Sequence, residues 1–186
     1  MEAFSDGVMA VIITIMVLEM KAPPSADWDA LRPLASVFMS YSLSFIFMGI
    51  YWSNHHHLLQ AVRHVNGRIL WANLHLLFWL SLTPFVTAWM GENRFAAAPV
   101  AAYGVVLLFA AFAYYILTRT LIAHHGKDST LATAVGDDFK GRISLAFYAV
   151  AIPLSFWRPL MACGLYFAVA AIWLIPDRRI EKVMEQ

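Results

Sequence analysis

The chain has 186 residues, of which 61% are hydrophobic and only 13% are Asp, Glu, Lys or Arg, with a formal net charge of +1. Soluble domains carry about a quarter charged residues, so this chain cannot cover a water-facing surface and lipid must solvate part of it. The near-neutral charge, with no Arg/Lys stripe interleaved with aromatics, excludes a nucleic-acid partner.

A helix needs about 20 predominantly apolar residues to cross the hydrocarbon core, so six crossings and their connections use nearly the whole length. The expected fold class is therefore all-α, a single polytopic membrane domain over 1–186. The spans are expected at about 4–20, 33–60, 68–90, 95–118, 142–157 and 159–176. A strand reading fails because transmembrane strands alternate apolar and polar residues over about ten positions, whereas these runs are continuous. In hydrocarbon every backbone group must be satisfied within the segment, which selects helix.

The first run opens with Glu2 and Asp6 rather than Lys or Arg, and no small-residue cleavage site follows it. It is expected to be a retained helix rather than a signal peptide. Ser5 and Asp6 stand at its head, where they are expected to cap the helix and set an acid against its positive end. Thr14, inside the run, can bond back to a preceding carbonyl. Lys21 to Asp29, with Pro23 and Pro24, reads as a loop leading into the second span.

That second span ends in Trp52, Asn54, His55, His56 and His57. Adjacent histidines point in different directions on a helix, so a three-histidine metal site from this run alone is geometrically poor. A site shared with His64 or with His124 and His125 is conceivable, but the expectation is no metal, with the histidines serving interfacial solvation and bonds between helices. Asn73 and His75 lie in the third span, and polar groups at such depth generally face the bundle interior or an aqueous cavity. They are expected to cross-link helices. Thr83–Pro84 predicts a kink or local unwinding in the same span.

The fourth span is the cleanest, and Arg119 to Arg142 reads as a polar connection. The last two spans are separated by Trp157–Arg158, which predicts a tight helical hairpin. Asp177 to Gln186 forms a charged tail. Cys163 is the single cysteine, so there is no intrachain disulfide and no cysteine cluster for a metal. No P-loop, dinucleotide fingerprint, HExxH, GxSxG or CxxC occurs, and the chain is not expected to be an enzyme or to carry a cofactor.

Phe4–Ser5–Asp6–Gly7–Val8, followed by Ala10, Thr14, Leu18 and Glu19, resembles the first-helix signature of the prokaryotic potassium channels related to the lysosomal transmembrane protein 175. The resemblance continues through Ser40–Tyr41, Phe45, Tyr51–Trp52 and Asn54–His55–His56. It resumes at Leu70–Trp71–Ala72–Asn73–Leu74 and at Leu82–Thr83–Pro84–Phe85. It implies a six-helix subunit of a homotetramer in the inner membrane, surrounded by lipid, with potassium as the permeant ion and the first helix lining a central pathway. The family lacks a carbonyl-lined filter, and nothing like TVGYG occurs here.

The resemblance further implies that Phe4, Ser5 and Asp6 are tied to polar partners on the next two helices. Asp6 is expected to stay ionised and, with Ser5, to be held from among His55, His56 and Asn73. The inter-helix network as a whole is expected to comprise Trp52, His55, His56, Asn73 and His75. Residues three and four apart share a helix face, so Val11, Ile15 and Leu18 form one stripe with Thr14 beside it. The resemblance marks that stripe as the pore constriction. Family members usually carry an Arg four residues before the Phe. Phe4 stands too near the first residue for one, so either the start lies upstream or this member lacks that anchor. Taken alone, the residues also fit a small cation or proton-coupled transporter using Asp6, Asn73 or His75, or a non-conducting structural membrane protein.

Six spans put both termini on one side. That side receives Arg63, Arg68, Arg119, Lys127, Lys140, Arg142, Arg178, Arg179 and Lys182, and the other only Lys21, Arg32, Arg94 and Arg158. The positive-inside rule then places both termini in the cytoplasm. In a Cys163→Ser background, single cysteines at Glu92 and Asp128 are expected to react with impermeant reagent from opposite faces of the membrane. Identical labelling would end the six-span topology.

Overall fold

A computed structural model describes residues 1–60, 62, 64–126 and 138–174. Among them there is no strand. The helices are α1 (Glu2–Leu18), α2 (Ala35–Gln60), α3 (Gly67–Ser81), α4 (Thr83–Glu92), α5 (Ala97–His125), α6 (Phe139–Leu154) and α7 (Pro159–Leu174), with a 3-10 segment at Trp28–Leu34 leading into α2. Taken as one broken rod, α3 and α4 bring the count to six helical passes.

Among the described residues, three stretches are long and apolar enough to cross a membrane unaided: Trp28–Gln60, Gly67–Glu92 and Ala97–His125. Helices α1, α6 and α7 have 17, 16 and 16 residues. At 1.5 Å per residue they reach about 25 Å, slightly short of a hydrocarbon core of about 30 Å.

The break between α3 and α4 falls at Leu82, which ends one helix and begins the next, with Pro84 in the first turn of α4. Proline is tolerated there because the first-turn N–H groups have no intrahelical acceptor. Helices α6 and α7 meet through the four residues Ser155–Arg158, with Arg158 N–H donating to Leu154 O at 2.8 Å. This is the tight hairpin expected at Trp157–Arg158.

The fourth helix departs from expectation. Helix α5 runs past Arg119 to His125 and stops at Gly126, whose φ of 93° favours glycine. A charged residue ends a hydrophobic run but not a helix. The Arg119 guanidinium lies 5.1 Å from the Tyr115 ring centre one turn back, and the backbone ladder continues beneath it. Residues 127–137 of the polar connection and the charged tail lie outside the described residues, while Phe139 to Arg142 already belong to α6.

The passes alternate in direction. The N-terminus of α1 meets the C-terminal half of α2 through Asp6 and Trp52. Asn66, before α3, bonds His124 at the end of α5, and Trp173 near the end of α7 reaches Ser144 near the start of α6. At the opposite end, the close of α4 packs on the start of α2. A Cβ on Gly91 would collide with Ser40 Oγ and lie 2.8 Å from Val37 Cα.

Two apolar clusters fill the bundle, and α2 and α5 contribute to both. One joins Met9, Ile12 and Met16 of α1 to Met48 and Leu58 of α2, to Ile69, Leu76 and Leu80 of α3, and to Ala110, Ala113 and Leu117 of α5. The other joins Phe47 of α2 to Val86 and Met90 of α4, Val100 and Tyr103 of α5, Tyr148 of α6 and Tyr166 of α7.

Large apolar side chains also cover the outside, among them Trp71, Phe78, Phe85, Phe156, Trp157 and Phe167. Such a surface is unfavourable in water and suits hydrocarbon. Tryptophans stand toward both ends, Trp28 and Trp157 at one and Trp52, Trp71 and Trp173 at the other, as at membrane interfaces.

Helix α5 approaches α7 closely because Gly104 has no side chain. A Cβ there would collide with the Tyr166 hydroxyl, which donates to Val100 O at 3.1 Å. Gly104→Val is therefore expected to destabilise the protein by about 1–3 kcal/mol, the usual range for overpacking, read as a lowered thermal midpoint in detergent. Gly164→Ala, at a position with nothing within 4 Å of the added Cβ, should leave the midpoint unchanged.

Candidate functional site

Helix α1 begins at Glu2 with Met1 as its N-cap and no side-chain cap. The capping role expected of Ser5 and Asp6 is therefore corrected: both lie inside the helix. Four apolar or acidic residues before them suffice for another helical turn, and Ser5 uses its hydroxyl within that turn, donating to Met1 O at 3.1 Å.

Ser5 is the end of a buried relay. His55 Nε2 lies 2.7 Å from Asn73 Oδ1. Asn73 Nδ2 donates to Ser5 Oγ at 2.9 Å, and Ser5 donates onward to Met1 O. An amide oxygen only accepts, so the proton of the His55 ring sits on Nε2 and every donor in the relay points the same way. Ser5, His55 and Asn73 are all buried. The relay thus joins α1, α2 and α3 through groups that hydrocarbon would leave unsatisfied.

Asp6 has a different partner from those expected. Its Oδ1 accepts the indole N–H of Trp52 at 3.1 Å, because Ser5 takes the position facing Asn73 and its neighbour turns about 100° away around the helix. The Trp52 ring stacks on His56 with centroids 5.8 Å apart. His56 Nδ1 lies 2.9 Å from Glu2 Oε1, and its Nε2 lies 2.8 Å from Gln60 Nε2, which donates to it. Glu2, Asp6 and His56 place their ligand atoms within 4.8 Å of one another. The adjacent histidines drew attention in the sequence, whereas this group takes one histidine and two acids from a helix some fifty residues away.

His75 is also corrected as an inter-helix tie. Its Nε2 accepts the indole N–H of Trp79 at 3.0 Å, one turn on along the same helix. That nitrogen is thus occupied within its own helix rather than by a neighbouring one. A second buried group was missed in the sequence: Ser44 Oγ lies 2.7 Å from Thr87 Oγ1 and 3.0 Å from the Tyr103 hydroxyl. It joins α2, α4 and α5. Single hydroxyls in apolar runs carry little signal, since each can bond its own helix.

The remaining face of α1 is left uncovered by the described residues. Met9, Ile12 and Met16 are 1–3% exposed, while Val11, Ile15 and Leu18 are 55, 41 and 78% exposed. Thr14 is exposed as well and bonds back to Val11 O at 2.9 Å. Ala3, Phe4, Gly7 and Ala10 extend the same open stripe toward the N-terminus.

Asn73→Leu would strand the buried His55 Nε2–H, at about 1–3 kcal/mol for a group left unsatisfied, and leave Ser5 Oγ with Met1 O alone. Trp52→Phe removes one donor from a pair open to solvent, where water substitutes. Thermal melts in detergent should therefore show Asn73→Leu well below Trp52→Phe, and equal midpoints would contradict the relay's structural role.

The sequence profile described as the endosomal/lysosomal potassium channel TMEM175 matches residues 1–84. A protein named as a potassium channel from a Chryseobacterium species is 54% identical over 186 residues, covering 100% of this chain and 97% of that one. Another so named, from Streptomyces collinus, is 34% identical over 131 residues, 64% of each chain. The crystal structure of a lysosomal potassium-selective channel TMEM175 homolog from Chamaesiphon minutus superposes with a TM-score of 0.75, at 27% identity and with 94% of each chain covered. The matched profile spans α1 to the α3–α4 break, and so contains the whole Ser5–Asn73–His55 relay. The chain belongs to the TMEM175 potassium channel family.

Proposed function

We propose that this chain is one subunit of a homotetrameric, potassium-permeable channel in the cell membrane, with both termini cytoplasmic. In this reading α1 from each subunit lines a central pathway, and Val11, Thr14, Ile15 and Leu18 form its constriction. The observation that carries the reading is the open stripe of α1. Three neighbouring helices grip one side of α1, yet a continuous row of apolar residues with one threonine is left uncovered. Ala3, Gly7 and Ala10 on that row are small, and small residues let helices approach closely in lipid.

Four such stripes around an axis would stack apolar rings over about 10 Å between Val11 and Leu18. Rings of this kind gate by excluding water. The charged and histidine-bearing cluster sits at the N-terminal mouth of that pathway, where Glu2 and Asp6 would raise the local concentration of cations. The names of the relatives support potassium as the ion, and the nine-to-four split of basic residues supports the orientation.

Recordings in planar bilayers test the constriction. Ile15→Asn is expected to wet it, raising current several-fold and weakening discrimination between potassium and sodium. Met16→Leu, on the buried face of α1, should leave conductance and reversal potential unchanged. Detergent-solubilised protein should have four times the mass of one chain. If Ile15→Asn assembles normally and conducts like the parent, α1 does not line the pathway. Slow, saturating, stoichiometrically coupled flux would instead mark a transporter.

A further inference from the structure

A cavity of about 480 Å³ lies between α2, α5, α6 and α7, on the side of the bundle away from α1. This volume falls within the range of about 300–1,000 Å³ typical of small-molecule sites. Its wall is apolar and aromatic at depth, with Phe47, Tyr51, Ala111 and Tyr148, and basic at the mouth, with Arg119 and Arg142. From Ala111 to Arg119 the wall of α5 rises about 12 Å, so the basic mouth and the apolar floor lie two turns apart.

Several groups in the cavity lack an ion-pair or hydrogen-bond partner, although Arg119 also lies over the Tyr115 ring. Among the described residues, no carboxylate lies within ion-pair distance of either guanidinium, and neither the Tyr51 nor the Tyr148 hydroxyl has a hydrogen-bond partner. Among the described residues, Asp138 is the one acid lining the mouth. Its Oδ1 accepts the Gly141 N–H at 3.2 Å, and burial pushes its carboxyl above the usual range despite the two arginines nearby. Two guanidiniums face that one carboxyl, so the charged groups lining the mouth sum to positive even when Asp138 is ionised.

We propose that this cavity binds an anionic phospholipid, with its phosphate held by Arg119 and Arg142 and the upper part of one acyl chain lying on Tyr51, Ala111 and Tyr148. Paired cations at the cytoplasmic end of a helix bundle form phosphate sites. A free phosphate would use the mouth and leave the aromatic floor empty, whereas a neutral amphiphile would use the floor and leave two arginines unpaired. Only a molecule with both parts satisfies the whole cavity.

The test is native mass spectrometry of the full chain in detergent, with phosphatidylglycerol, phosphatidylcholine and inorganic phosphate as separate probes. Phosphatidylglycerol is expected to be retained at least tenfold more than phosphatidylcholine. Arg119→Gln/Arg142→Gln should abolish that preference. Ala111→Phe, which fills the floor without touching the charges, should reduce phosphatidylglycerol retention severalfold and leave phosphate binding unchanged. Equal retention of the two lipids by the parent protein overturns the anionic head. Retention indifferent to Ala111→Phe, or matched by inorganic phosphate, overturns the chain-binding floor. The readout is binding rather than current, so its failure is separate from any failure of the pore assignment.

Discussion

The hydrogen bond from Asn73 to Ser5 fixes the orientation on which the proposed pathway depends. Beyond the solvent-accessible contacts of Glu2 and Asp6 at its N-terminal end, helix α1 is held by apolar contacts of Met9, Ile12 and Met16, and apolar packing is non-directional. Methionine in particular adapts to irregular gaps, so these contacts alone would tolerate a rotation of α1 about its axis. The relay does not. Its three groups are buried, and turning α1 would take Ser5 Oγ away from the Asn73 amide N–H in a medium that offers no water to replace it. The open stripe of Val11, Ile15 and Leu18 is thus a consequence of where Ser5 must point.

The same logic orders the second half of the bundle. Ser44, Thr87 and Tyr103 share hydrogen bonds at the junction of α2, α4 and α5, while Tyr166 of α7 donates to the backbone of α5 at Val100. Gly91 and Gly104 allow the close approaches that put these groups within reach. Helix association in lipid draws on packing and interhelical hydrogen bonds rather than on hydrophobic burial, and this chain places one such polar junction in each half. Helices α2 and α5 connect the halves.

Structure and proposed function divide along these lines. Helix α1 gives one face to its own subunit and leaves the other open, and its N-terminal end carries Glu2 and Asp6 beside Trp52 and His56. Helices α2, α5, α6 and α7 enclose the amphipathic cavity without any contribution from α1. Helix α2 both lines that cavity and packs on α1, so it links the two regions directly.

The sequence by itself determined the helical class, the break at Thr83–Pro84, the hairpin at Trp157–Arg158 and the membership suggested by its first three helices. Those features depend on local composition: a run without charges in lipid must be helical, and proline interrupts a ladder wherever it stands. The extent of α5 past Arg119 was not legible, because a charge ends hydrophobicity without ending a helix. Nor was the pairing of polar groups. Ser5 meets Asn73 across 68 residues, and Asp6 meets Trp52 across 46. His75, which looked equivalent to Asn73, turned to Trp79 on its own helix. Which of two nearby polar residues faces a neighbour depends on the rotation and tilt of whole helices. Apolar surfaces permit many such arrangements, and only the tertiary structure selects the one in which every buried donor of the relay finds an acceptor.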